Sequence, residues 1–211
     1  MPNFAEQVVQ RLEDLGVKRI YGLVGDSLNP LSDAVRQSDI EWVHVRNEEA
    51  AAFAAGADSL ASDELAVCGA SCGPGNTHFV QGLFEAHRDG AKVLAIASHI
   101  PTIEIGSSFF QETHPELLFQ ECSSYCEVVH EADQGMRVLH NALQNTMAGN
   151  GVSVMVIPGD VFAAEVSSAP SPADSVYATG ADKRVFPDPA EAARLDAAIN
   201  EADTVTLFAG Y

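Results

Sequence analysis

Basic side chains are scarce: 11 Lys and Arg stand against 30 Asp and Glu, a formal charge of −19 over 211 residues. A field of that sign repels phosphate backbones and anionic lipid headgroups, which argues against nucleic acid as a partner. Long apolar runs are missing too. Clusters such as Val93–Ala97 fall far short of the roughly 20 residues a membrane span needs, and Met1-Pro2-Asn3 opens no charged-then-apolar leader. The chain reads as cytoplasmic. Cysteine is limited to four residues in two equally spaced pairs, Cys68/Cys72 and Cys122/Cys126. A four-sulfur zinc site is conceivable, but the x₃ spacing departs from C-x₂-C and Cys68 ends the apolar run Leu65-Ala66-Val67. Reduced thiols packed as small hydrophobes is the better reading.

What is present is a regular rhythm of apolar clusters, with hydrophobic residues at 46%. The length suits one well-buried domain and the start of a second. Asn3 is placed to cap a helix with Phe4, Val8, Leu12 and Leu15 on one face and Gly16 at its end. Strand-like segments follow at Arg19–Val24, Trp42–Val45, Leu65–Ala70, Val93–Ala97, Tyr125–Val129 and Val152–Ile157, with helix-like segments between them. Only 98–121 breaks the rhythm. Near-continuous apolar strands separated by amphipathic helices predict a doubly wound α/β fold, a six-stranded parallel sheet with helices on both faces. Ligands of such sheets bind at the C-terminal strand ends. From Ala163 to Pro187 the composition turns to Ala, Ser, Pro and Asp, the mark of an interdomain linker. A helix over Pro189–Asn200 and a strand over Thr204–Phe208 then begin a second domain at about residue 188. A parallel strand there needs partners that these residues do not supply, so the polypeptide is expected to continue.

Three stretches carry chemistry. Gly22-Leu23-Val24-Gly25-Asp26 follows a strand, but it lacks the third glycine of a dinucleotide fingerprint and reads first as a structural turn. Ser71-Cys72-Gly73-Pro74-Gly75-Asn76-Thr77-His78 sets two glycines around a proline at a strand end, where backbone can approach a flat ligand. Taken alone it could be a tight turn. Asn47-Glu48-Glu49 precedes Ala50-Ala51-Ala52-Phe53-Ala54-Ala55-Gly56, which could mean no more than acids at the positive end of a helix.

Together with Phe110-Gln111-Glu112-Thr113, and in this order, these stretches resemble the pyrimidine-binding domain of thiamine diphosphate enzymes of the pyruvate oxidase and acetolactate synthase group. Gly25-Asp26-Ser27-Leu28-Asn29, Phe84-Glu85-Ala86-His87-Arg88 and the stretch from Glu104 to Glu116 are most similar to bacterial pyruvate:quinone oxidoreductases. The resemblance spans residues 3 to 162 and implies a pyrimidine domain over 1–162, a linker over 163–187 and the start of an FAD-binding middle domain over 188–211. It implies that Glu48 hydrogen-bonds N1′ of the aminopyrimidine and promotes the tautomer that removes the thiazolium C2 proton; the alanine-rich helix supplies the apolar surroundings a proton-carrying carboxyl needs. Glu49 falls on another side of the helix. Gly75 and Asn76, and more weakly Gly25, match cofactor contacts, while His78, Phe110 and Gln111 match the substrate pocket. For His78 a structural role competes; His99 and His114 read as structural or surface residues.

The resemblance further implies pyruvate as substrate, acetate and CO₂ as products, and FAD and a membrane quinone as electron acceptors. Mg²⁺ and most of the FAD site are expected outside these residues, so the chain alone should be silent. A homodimer or homotetramer, peripheral at the inner face of the cell membrane, is expected for the full-length enzyme. Acetolactate synthase, a plain 2-oxo acid decarboxylase and a non-catalytic α/β binding module are the alternatives.

Overall fold

A computed structural model of the chain describes residues 1–167 and 186–208. The first helix, α1 (Phe4–Asp14), begins where expected and for the expected reason. Asn3 accepts from the Glu6 backbone N–H, and Glu6 returns a bond to the Asn3 backbone, a reciprocal cap. Past its end, Gly16 takes a φ of +80° that an L side chain rarely adopts.

From there strands and helices alternate as β1 (Arg19–Gly22), α2 (Asn29–Arg36), β2 (Glu41–His44), α3 (Glu48–Ser62), β3 (Ala66–Ala70), α4 (Pro74–Arg88) and β4 (Val93–His99). A 3₁₀ turn (Thr102–Glu104) and the short α5 (Pro115–Leu118) lie within the stretch read as irregular. Then come β5 (Tyr125–Val128), α6 (Ala132–Asn145) with a π-helical extension (Thr146–Asn150), β6 (Ser153–Pro158) and α7 (Gly159–Ala163).

The six strands form one sheet in the order β2-β1-β3-β4-β6-β5, and every pairing is parallel. The chain moves outward from β1 to β2 and then returns to the other side of β1 as β3. That reversal is a topological switch point, where the strand-end loops part and leave a crevice. The loops after β1 and β3 meet there.

Side-chain alternation divides the core into two layers. On one face Ile20, Val67, Leu94, Ile96, Met155 and Ile157 pack against α1, α2, α6 and α7. Phe4 and Phe162 stack in that layer at 6.3 Å. Each such side chain, fully buried, contributes about 1.5–3 kcal/mol. The other face is built from smaller groups, Ala66, Cys68, Ala70, Ala95 and Ala97, and carries the alanine face of α3 together with Phe79 and Leu83 of α4. Three of the four thiols are buried and the fourth is half-buried, all free. Among the described residues no group of three or more His, Cys, Asp and Glu is placed to hold a metal.

Residues at the start of the expected linker fold back on the first unit: Asn3 bridges Glu165, the Val166 N–H donates to Pro2, and Val166 is 6% exposed. Residues 168–185 of that linker lie outside the described residues. In the second unit α8 (Pro189–Glu201) is capped by Asp188, whose side chain accepts from the Ala190 N–H. The strand expected at 204–208 is not formed; a β ladder needs a neighbour. No helix among the described residues is long and apolar enough to cross a membrane.

Candidate active site

The site is assembled by two helix starts at the C-terminal edge of the sheet. In α3 the buried positions are Glu48, Ala51, Ala52, Ala55, Gly56 and Ser59. These recur at three and four residues, a single stripe along one face. Glu48 heads that stripe and is therefore carried inward, 6% exposed, while Glu49 is half-buried beside it. The Asn47 side chain caps the helix by accepting from the Glu49 N–H at 2.8 Å. In α4 the matching stripe is Gly75, Asn76, Phe79, Gly82, Leu83 and Ala86. The two stripes face each other with little between them. A Cβ at Gly82 would lie 2.6 Å from Ala52 Cβ, 2.8 Å from the Phe53 nitrogen and 2.9 Å from the Glu49 carbonyl oxygen.

That close approach brings chemistry together. Glu48 Oε2 and His78 Nδ1 are 3.0 Å apart. The other carboxyl oxygen, Oε1, faces Gly75, where a Cβ would come within 3.1 Å of it. Asn76 is fully buried, and its Nδ2 donates to the Ser98 carbonyl at 2.8 Å. Its Oδ1 is buried with no partner, an open acceptor that costs about 1–3 kcal/mol if left unmet.

Beneath the glycine turn lies a knot of hydroxyls that sequence reasoning missed. Ser27 Oγ sits 2.6 Å from Ser98 Oγ and 3.1 Å from Ser71 Oγ, and accepts the Cys72 N–H at 3.0 Å. Ser98 Oγ also donates to the Ala70 carbonyl. The knot ties the loops after β1 and β3 to the end of β4, fixing the turn that follows Cys72. Gly25 belongs to it: a Cβ there would sit 2.4 Å from Ser71 Oγ. Its φ of −164° is ordinary extended backbone, so what glycine provides is room. Gly22 likewise gives way to the Trp42 ring, 2.5 Å from where its Cβ would be. Both glycines of the first turn thus make room for neighbouring side chains.

Gly73 combines both uses of glycine, with φ +68° and a would-be Cβ 2.9 Å from Gln111 Cβ. The loop after β4 therefore seats on the turn, and Gln111 Nε2 points to the Cys72 carbonyl at 3.5 Å. Glu112 organises that loop. Its carboxylate accepts the Gly106 N–H at 2.5 Å, and chiefly this bond, with weaker ones from Ser108 and Phe109, holds its pKa below the usual value against an opposing desolvation. Phe110 stands 83% exposed, its ring 4.8 Å from that of Phe109. His99 ends β4 almost fully buried with Nδ1 unpartnered, and burial lowers its pKa. His114 is exposed near Glu116. Of the residues singled out from sequence, the structure joins Glu48, Gly75, Asn76 and His78 in one place, docks Gln111 beside them and places Gly25 under the turn. Phe110 it leaves in solvent. An open cleft lined by Thr102, His130, Glu131, Asp133, Asp160 and Glu165 includes none of these residues. Thr102 and Ser167 already engage Asp160 and Asp133 there.

The arrangement fits an aminopyrimidine. A buried carboxyl with one oxygen against a Cβ-free backbone, in a turn whose next residue carries an unmet amide oxygen, offers an acid group and an acceptor to a flat ring with a basic nitrogen and an amino group.

A doubly wound domain with a buried acid and a glycine turn at its switch-point edge is a ligand-binding α/β module of the open-sheet class. Residues 2–119 match the family described as thiamine pyrophosphate enzyme, N-terminal TPP binding domain, and the chain belongs to that family. It is 49% identical over 98% of its length to an uncharacterized 42.6 kDa protein in the isoamylase 3′ region of Pseudomonas amyloderamosa, covering 52% of that protein. It is 33% identical over 73% of its length to pyruvate oxidase of Lactiplantibacillus plantarum, covering 26% of it. To a probable acetolactate synthase large subunit of Methanocaldococcus jannaschii it is 30% identical over 98% of its length, covering 35%. The chain thus spans about half the length of the first of these relatives and a smaller share of the other two.

Proposed function

We propose that this chain is the cofactor-activating part of a thiamine diphosphate enzyme that oxidatively decarboxylates pyruvate to acetate and CO₂, with FAD and a membrane quinone accepting the electrons in the complete protein. The observation that carries the cofactor half of this reading is the Glu48 carboxyl, buried at the head of α3 with Oε1 lying close against the Cβ-free Gly75. When bound, thiamine diphosphate supplies a carbon acid that adds to the 2-oxo group and takes up the electron pair left by departing CO₂. Glu48 would hold a proton at the pyrimidine ring nitrogen, Gly75 would let the ring lie against backbone, and Asn76 would offer Oδ1. The serine knot keeps that floor from shifting. Gln111, His78 and Phe110 are assigned to the substrate side. The pyruvate oxidase likeness supports pyruvate as substrate. FAD, Mg²⁺, a membrane-peripheral location and assembly as a homodimer or homotetramer belong to the same proposal, through residues beyond those described.

Acetolactate synthesis is the second reading, favoured by the likeness that runs over 98% of the chain. Product analysis separates the two: acetate formed only with an electron acceptor supports the oxidase, and acetolactate formed without one supports the synthase. For the cofactor role the test is exchange of the C2 proton, followed by NMR after acid quench in the complete polypeptide carrying this chain. Glu48→Gln is expected to slow exchange by about 10²–10⁴-fold, the usual scale of general acid–base contributions, and Glu49→Gln to leave it near wild type. Wild-type exchange in Glu48→Gln would overturn the assignment.

A further inference from the structure

We infer that His78 is a positioning residue that relays protons between solvent and the buried carboxyl of Glu48. The inference rests on the cofactor reading above and adds a route to it. A carboxyl that must gain and lose a proton in each turnover needs contact with water, yet the Glu48 side chain is 8% exposed. One of its oxygens lies against the Cβ-free Gly75. The other lies 3.0 Å from His78 Nδ1, within the range for direct proton transfer. The His78 side chain is 51% exposed, so a single ring reaches from the buried acid to solvent. Helix geometry explains the placement. His78 follows Gly75 by three positions on α4, and helical side chains lean toward the N-terminus, which lays the imidazole over the turn that contains Gly75.

The step balances with water alone. A proton on Glu48 Oε2 passes to the lone pair of Nδ1 in the neutral ring, and the imidazolium so formed releases its Nε2 proton to water. The ring is left neutral with its proton on Nδ1. In the return direction Nε2 takes a proton from water and the Nδ1–H delivers one to Oε2.

Two measurements test this. In the 211-residue chain labelled with ¹⁵N-histidine, the His78 Nδ1 resonance is expected away from its free-imidazole position and back at that position in Glu48→Ala. A His78 ring indifferent to Glu48→Ala overturns the relay. In the complete polypeptide, C2-proton exchange is expected to slow by about tenfold or more in His78→Ala, toward the lower end of acid–base effects, and to recover when imidazole is added to the buffer. A ring that merely packs would give no such rescue. Wild-type exchange in His78→Ala, or slow exchange that imidazole does not restore, refutes the relay while Glu48→Gln remains slow and the cofactor reading stands. Exchange at wild-type speed in Glu48→Gln removes the cofactor reading itself.

Discussion

Gly82→Ala puts one methyl group where two helices touch. In an isolated helix the change would stabilise, since alanine is favoured over glycine by about 0.8–1 kcal/mol. Here the new Cβ would stand 2.6 Å from Ala52 Cβ, 2.8 Å from the Phe53 nitrogen and 2.9 Å from the Glu49 carbonyl oxygen. Real Cβ atoms essentially never come so close, and two of the three atoms are backbone, which cannot rotate away. Overpacking of a filled core costs about 1–3 kcal/mol and sometimes more. Backbone clashes belong at the upper end, so after the propensity gain a net loss of about 2 kcal/mol remains. For a domain of this size that lowers Tm by about 4–8 °C. Gly56→Ala is the internal control. Its would-be Cβ meets the Ala86 methyl at 3.0 Å and nothing else closer than 3.6 Å. Its net effect should lie within about 1 kcal/mol of zero, because propensity and crowding oppose each other. Thermal melts by circular dichroism read both variants. Equal melts for Gly82→Ala and wild type, or a larger loss in Gly56→Ala, would show that α3 and α4 are not packed as described.

Ser27→Ala should cost about 1–3 kcal/mol in urea unfolding, because the buried Cys72 N–H loses its acceptor; a change within about 0.5 kcal/mol, the scale of inert surface sites, would contradict the hydroxyl knot. The Glu112 pKa is depressed in the folded loop chiefly by the Gly106 N–H. Its clamp is therefore present above the ordinary value of 4.5 and lost as pH falls through the lower folded value. Cleavage of the 98–121 loop by an acid-stable protease should rise below that pH, and Glu112→Gln should remove the pH dependence; a flat wild-type profile refutes the clamp. Burial raises the Cys122 pKa to about 11, that of Cys126 to about 12 and that of Cys68 further still. These three thiols should therefore react slowly with Ellman's reagent at pH 8 and fully after denaturation, and more than one rapidly reacting thiol in the native chain would contradict the packing.

The parts of the fold legible in sequence were those written in local pattern. Asn3 with Glu6 three residues on, Gly16 at the helix end and Glu48 before an alanine run each act through near neighbours, and each element appears where its pattern placed it. The parallel sheet followed from apolar strands alternating with helices. What stayed hidden depends on distant contacts. Ser27 and Ser71 come from the loops after β1 and β3 and Ser98 from the end of β4, and nothing local marks a serine as facing two others. Val166 falls in an Ala/Ser/Pro-rich stretch yet packs in the core because Asn3 bridges Glu165. The exposure of Phe110 depends on how the loop after β4 seats on Gly73. One signal was available and unused. Gly56 with Ala52, and Gly82 with Ala86, set small residues four apart in two successive helices, a spacing that lets helices approach closely.

That spacing links fold to chemistry. The sheet face under α3 carries Ala66, Cys68, Ala70, Ala95 and Ala97, so the layer above it is thin. The glycine and alanine stripes then let α4 press against α3 without a side-chain layer between them. Both helices start at the same edge of the sheet, and their close packing is what allows Glu48 and His78, 30 residues apart, to meet at 3.0 Å. A larger residue at Gly82 would press the two helices apart, and the Glu48–His78 contact at 3.0 Å already lies toward the long end of the usual range of about 2.7–3.2 Å for such bonds. The alanines of α3 are thus more than helix formers: they set the distance at which its first residue works.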